Sequence, residues 1–82
     1  MCSVEIVMPD LELSVPARVT IWHVRPGQTV VHGDRLIEIS AGPVSVDLPA
    51  PTSGVLSETR VAEDAAVVAG QVLGIIAPTP EG

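Results

Sequence analysis

The sequence contains no lysine, and basic residues are scarce overall. Its four arginines are scattered singly and face ten aspartates and glutamates, so the formal net charge at pH 7 is −6. Binding to phosphate backbones depends on clustered Lys and Arg, and this charge balance therefore argues against a nucleic-acid partner. The absence of lysine also means that the chain offers no side-chain ε-amine.

Cysteine and long apolar runs are also scarce. Cys2 is the only cysteine, so no disulfide can form within the chain, which agrees with a reducing compartment. No apolar run approaches the roughly 18 residues of a membrane helix, and the N-terminus lacks the basic-then-apolar pattern of a signal peptide. We therefore expect a soluble cytoplasmic protein without a membrane partner.

The residues that are abundant indicate an all-β domain. The chain of 82 residues is 46% hydrophobic, with many Val, Ile and Leu, and eight Pro and seven Gly interrupt it. This composition is typical of short strands joined by tight turns. No segment keeps a 3.6-residue periodicity, so no helix is predicted. A change of phase at Ile21-Trp22 predicts a bulge, and strands are predicted at 3–8, 17–24, 30–31, 36–40 and 44–48.

The second half of the chain repeats the first after a shift of 37 residues, with half repeats at about 4–40 and 44–77. The shift aligns Gly33 with Gly70, and the turn residue Gly27 with Asp64, a residue type that tolerates a left-handed conformation. A duplicated unit of four short strands predicts two four-stranded antiparallel sheets packed face to face with approximate two-fold symmetry. We expect eight large aliphatic residues to face the core: Ile6, Val19, Leu36, Ile39, Val46, Val55, Leu73 and Ile76.

Residues 36–55 predict a hairpin, since two β-type runs flank a breaker at Gly42-Pro43. The flanks read L-I-E-I at 36–39 and V-D-L-P-A-P at 46–51. They resemble the attachment hairpin of biotinyl/lipoyl domains, L-I-E-I-E-T-D-K-A-x-V-D-V-P-S-P. The resemblance extends to V-E-I-V-M-P-D-L at 4–11, to the segment at 24–39, and to P-A-P-T-S-G-V-L at 49–56.

The resemblance implies a flattened β-barrel with a cofactor-bearing lysine at the hairpin tip, residues 41–44. In this family, biotin or lipoic acid forms an amide with that lysine. The gapless alignment places Pro43 at the lysine position, and Ser40 and Gly42 at positions that are acidic in the family. Proline carries no nucleophile, so we predict no attachment site, no cofactor and no enzymatic activity.

Two functions of different classes remain. In the first, the domain is a non-catalytic interaction module for a 2-oxo-acid-dehydrogenase-type or carboxylase-type enzyme. Its contact residues would then be Ala41, Gly42, Pro43 and Val44, although the same tip is also explained as a drifted turn. In the second, the domain is a carrier in acyl or carboxyl transfer that uses an atypical attachment residue, Cys2 or a serine.

Metal chemistry receives no support from spacing along the chain. His23 and His32 are nine residues apart, and no Cys, His and Asp spacing resembles a metal site. We therefore predict that His23 is an ordinary surface residue of a strand and that no metal is bound.

Overall fold

The computed structural model describes residues 3–12 and 15–78, and these residues form eight strands and no helix. The strands are β1 (Val4–Val7), β2 (Ala17–Trp22), β3 (Thr29–Val30), β4 (Arg35–Ala41), β5 (Val44–Pro49), β6 (Gly54–Thr59), β7 (Ala66–Val67) and β8 (Val72–Ala77). The strands predicted at 17–24 and 30–31 are therefore shorter or shifted by one residue. Within the described part of the chain, no helix has the length and hydropathy needed to cross a membrane.

The strands form two four-stranded sheets, and all pairings are antiparallel. Sheet A has the order β1-β8-β6-β3, and sheet B has the order β5-β4-β2-β7. Each sheet takes strands from both halves of the chain, so neither half alone supplies all four strands of a sheet. This arrangement confirms the predicted fold class.

The shift of 37 residues found in the sequence relates the two sheets. It carries β2 onto β6 and β3 onto β7, and it carries the pairing of β2 with β4 onto that of β6 with β8. The bulge in β2 lies between Val19 and Ile21, and the bulge in β6 lies between Leu56 and Glu58, at equivalent positions. The first bulge confirms the kink predicted near Ile21 and Trp22.

Equivalent turns also share their backbone geometry. Gly27 has φ +96° and Asp64 has φ +73°, so the aspartate adopts the left-handed conformation that the repeat predicted. The Gly27 N–H donates to the Leu56 carbonyl, and the Asp64 N–H donates to the Val19 carbonyl, each at 2.8 Å. The turn of each half is thus hydrogen-bonded to a strand of the other half.

The space between the sheets is filled by aliphatic side chains. Six of the eight predicted core residues are buried: Ile6, Val19, Leu36, Ile39, Leu73 and Ile76. Val46 is half-buried on the edge strand β5 and packs against this core. The prediction for Val55 was wrong, because Leu56 is the buried residue. The repeat explains why: Leu56 is equivalent to the buried Val19, whereas Val55 is equivalent to the exposed Arg18.

Candidate functional site

The candidate site is the end of the hairpin formed by β4 and β5. These strands pair from Arg35 opposite Pro49 to Ala41 opposite Val44, which leaves Gly42 and Pro43 as a two-residue turn. Pairing this close to the turn holds the tip on two hydrogen-bonded strands. The predicted hairpin is therefore confirmed, and its tip is placed by the sheet.

The signs of φ at the tip are those of a type II′ turn. Gly42, the first central residue, has φ +60°, and Pro43, the second, keeps the negative φ of about −65° that its ring imposes. Type II′ turns place Gly first and match the twist of the flanking strands. Glycine at position 42 thus allows the turn to contain a proline that a type I turn would disfavour at this position.

The four predicted contact residues differ in exposure. Ala41 is only 2% exposed and belongs to the core, because residues 37, 39 and 41 of β4 face inward. Gly42, Pro43 and Val44 are exposed. Ala41 is thus unavailable to a partner, and the accessible tip consists of the other three residues.

A neighbouring segment extends this tip. A Cβ atom built on Gly42 would lie 3.4 Å from Cγ2 of Val15, in the segment that joins β1 to β2. Val15 and Val44 are 42% and 45% exposed. Val15 and Val68 in turn line a shallow groove of about 200 Å³. The hairpin end therefore presents small apolar groups. No local pattern in the sequence indicated that Val15 would lie beside it.

Serine is the alternative attachment residue type, and of three serines on or beside the hairpin (Ser40, Ser45 and Ser53) two have ordinary hydrogen-bond partners. The Ser40 hydroxyl is hydrogen-bonded to the Thr20 hydroxyl. The Ser53 hydroxyl accepts the His32 N–H at 2.9 Å. Ser45 lies opposite Ser40 on β5 and is exposed. Cys2 lies outside the described residues.

The structure also gathers residues that sequence spacing did not connect. Ligand atoms of His23, Glu38 and Asp47 lie within 4.8 Å of one another on the outer face of sheet B. Spacing along the chain does not reveal this cluster, because the three residues meet through strand pairing. The predicted hairpin already implied two of the three members of this cluster, since a turn at 42–43 sets Glu38 opposite Asp47.

Comparison with known proteins identifies the family. The sequence profile of the biotin/lipoyl family, described as biotin-requiring enzyme, matches residues 4–76. The succinyltransferase component of the 2-oxoglutarate dehydrogenase complex of Haemophilus influenzae is 41% identical over 98% of this chain. The corresponding protein of Escherichia coli K12 is 40% identical over 90% of this chain. The chain spans only 20% and 18% of the lengths of these two relatives.

A solved structure shows the same architecture. The lipoyl domain of the 2-oxoglutarate dehydrogenase complex of Azotobacter vinelandii superimposes with a TM-score of 0.74 and 27% sequence identity. The match covers 90% of this chain and 95% of the solved domain. The fold, the profile and these relatives agree with the resemblance found in the hairpin motif, and this chain belongs to the biotin/lipoyl domain family.

Proposed function

We propose that this chain is a lipoyl-type domain that carries no lipoyl or biotinyl group and works by contacting a protein partner. One observation carries the proposal: Pro43 occupies the turn position at which the family has its lysine, and none of the 82 residues is a lysine. Without an ε-amine at the tip, a ligase has no atom to acylate. The domain would act as a non-catalytic module.

The partner that we propose is an enzyme of the 2-oxo-acid dehydrogenase type, with a carboxylase-type enzyme as the wider family alternative. The similarity to domains of 2-oxoglutarate dehydrogenase components supports the first choice. Such an enzyme would contact the apolar hairpin end, whose exposed residues are Val15, Gly42, Pro43 and Val44. The net charge of −6 favours a basic partner surface and an association rate that falls as salt is added.

Intact mass of the protein purified from its native host tests the absence of a cofactor. We expect the mass of the unmodified chain. A mass increased by an attached acyl or biotinyl group would overturn the proposal and would favour the alternative carrier, which uses Cys2 or a serine. Peptide mapping of the modified protein would then identify the attachment residue.

A gain-of-function variant tests the tip more directly. Gly42→Asp combined with Pro43→Lys restores the family's Asp-Lys pair, and we expect a lipoate ligase to add one lipoyl group. The matched control combines Gly42→Asp with Pro43→Arg, which restores the charge without a primary amine and should remain unmodified. Lipoylation of the wild-type chain in the same assay would contradict the proposal.

Affinity capture at low salt tests the partner. We expect the wild-type domain to recover a component of a 2-oxo-acid-dehydrogenase-type or biotin-dependent enzyme, identified by mass spectrometry. Val44→Glu at the tip should weaken this association by at least about tenfold, as expected for a contact residue of an interface. Val31→Glu is the control, because Val31 is also exposed but lies in the turn before β4, at the other end of that strand. Recovery of neither enzyme class would count against the proposal.

A further inference from the structure

A cluster of one imidazole and two carboxylates lies on the outer face of sheet B. Nε2 of His23 is 3.4 Å from Oδ1 of Asp47, and their side chains are 29% and 34% exposed. Glu38 is half-buried, and its carboxylate completes a set of ligand atoms that lie within 4.8 Å of one another. The three side chains come from β4, β5 and the residue that follows β2.

The backbone positions of this cluster are set by paired strands. Glu38 and Asp47 are direct partners across β4 and β5, so both side chains point to the same face. The His23 N–H donates to the Leu36 carbonyl at 2.8 Å, which ties the residue after β2 to β4. Sites built on strands hold their geometry better than sites built on loops.

The two facing carboxylates at this position carry more negative charge than the one arginine beside them offsets. Like charges directly opposite each other on neighbouring strands are destabilising. Asp47 is near two basic side chains, those of His23 and Arg35. Nη1 of Arg35 lies 3.6 Å from Oδ2 of Asp47. Among the described residues, no ion pair includes Glu38. Arg35 is 71% exposed and can turn away from Asp47 without disturbing the core.

The internal symmetry shows that the fold does not require this cluster. The shift of 37 residues carries His23 to Arg60 and Glu38 to Ile75. Asp47 corresponds to Glu5, which pairs with Ile75 as Asp47 pairs with Glu38. The three equivalent positions on sheet A therefore hold one carboxylate, an arginine and an isoleucine, where sheet B has two carboxylates and an imidazole. The combination of His23, Glu38 and Asp47 is thus found on sheet B and not at the equivalent positions of sheet A.

We propose that His23, Glu38 and Asp47 bind a divalent transition-metal ion of the Zn²⁺ class on the outer face of sheet B. Zn²⁺ takes imidazole nitrogen and carboxylate oxygen at about 2.0–2.2 Å, which places tetrahedral ligands about 3.4 Å apart. The separation of 3.4 Å between His23 and Asp47 already matches this spacing. Rotation of the Glu38 side chain brings the third oxygen in, and water completes the coordination. This site is independent of the function proposed above.

Titration of chelator-treated protein with Zn²⁺ tests the site, in a Cys2→Ser background that removes the thiol as a competing ligand. We expect calorimetry to report one equivalent bound, a rise in melting temperature, and amide shifts centred on the three residues. His23→Gln, Glu38→Gln and Asp47→Asn should each weaken binding by more than about tenfold. His32→Gln, which alters the other histidine, and Glu5→Gln, at the symmetry-equivalent position, should leave binding unchanged.

Glu38→Gln also separates ligation from a merely structural role. In the metal-free protein it removes a like-charge pair, so its melting temperature should equal or exceed that of the parent. With Zn²⁺ the order should reverse, because only the parent gains stability from the metal. The proposal is overturned by the absence of stoichiometric binding, by binding that survives His23→Gln and Asp47→Asn, or by loss of binding in His32→Gln.

Discussion

The two halves of this chain share an interior and differ on their surfaces. Leu36 and Leu73 occupy equivalent positions and are both fully buried, as are Ile39 and Ile76. The outer faces have diverged, with His23, Glu38 and Asp47 on sheet B and Arg60, Ile75 and Glu5 on sheet A. Burial between two sheets restricts a residue to a narrow range of shapes, whereas an outward position tolerates many side chains. The inward-facing residues therefore maintain the fold, and we expect the functional residues among the outward-facing ones.

The ends of the molecule also differ. At one end β4 continues into β5 through Gly42 and Pro43, whereas the equivalent strands β8 and β1 pair without a connecting turn. The hairpin tip that corresponds to the family's attachment site therefore has no counterpart between β8 and β1. Trp22 adds a second asymmetry, because its Nε1–H donates to the Val61 carbonyl at 2.9 Å and no counterpart tryptophan exists.

The largest expected effect tests whether the two halves contribute equally to the core. Leu36→Ala and Leu73→Ala each remove a fully buried side chain at an equivalent position. Each should lower the free energy of unfolding by about 2–5 kcal/mol, because the cavity is only partly refilled. Urea unfolding monitored by Trp22 fluorescence measures both. A loss below about 1 kcal/mol for one leucine alone would show that the halves are packed differently.

A smaller effect is expected at a position where the halves differ by one methyl group. Gly54 is equivalent to Ala17, but a Cβ atom at Gly54 would clash with the Ala77 carbonyl oxygen. Gly54→Ala should therefore destabilise the domain by about 1–3 kcal/mol through overpacking. The reciprocal change, Ala17→Gly, should cost about 0.5–1 kcal/mol, mainly through backbone entropy. Thermal and urea denaturation compare the two. An unchanged stability in Gly54→Ala would mean that β8 shifts freely away from β6.

The smallest expected effect concerns the equivalent turns. Asp64 holds a left-handed φ of +73° that Gly27 adopts without a side chain. Asp64→Gly should raise the free energy of unfolding by about a few tenths of a kcal/mol, because relief of this strain is partly offset by the entropy of the unfolded glycine. Gly27→Ala should lower it by about 1 kcal/mol. Chemical denaturation of both variants checks the signs, and destabilisation by Asp64→Gly would indicate that the Asp64 side chain contributes a contact.

Local patterns predicted the fold and much of the candidate site. Alternating Val and Ile, the glycines at 33 and 70, and the hairpin motif were sufficient to predict the strands, the repeat and the family, because each is visible in the order of residues along the chain. The core position of Val55 was misjudged even though the repeat aligned it with Arg18. Ala41 is the last residue of β4, and the inward alternation of that strand accounts for its burial. The prediction of a four-residue tip did not extend this alternation to Ala41.

The remaining features required residues that are distant in sequence. His23 lies near Asp47 because β2 and β5 both pair with β4. This strand order results from the packing of two sheets around one core. Val15 lies beside Gly42 for the same reason. The sequence by itself determined which domain forms and that its tip lacks a lysine, since these follow from residue identity and local periodicity. The tertiary structure alone decided which side chains share a surface, because strand order depends on the packing of the whole chain.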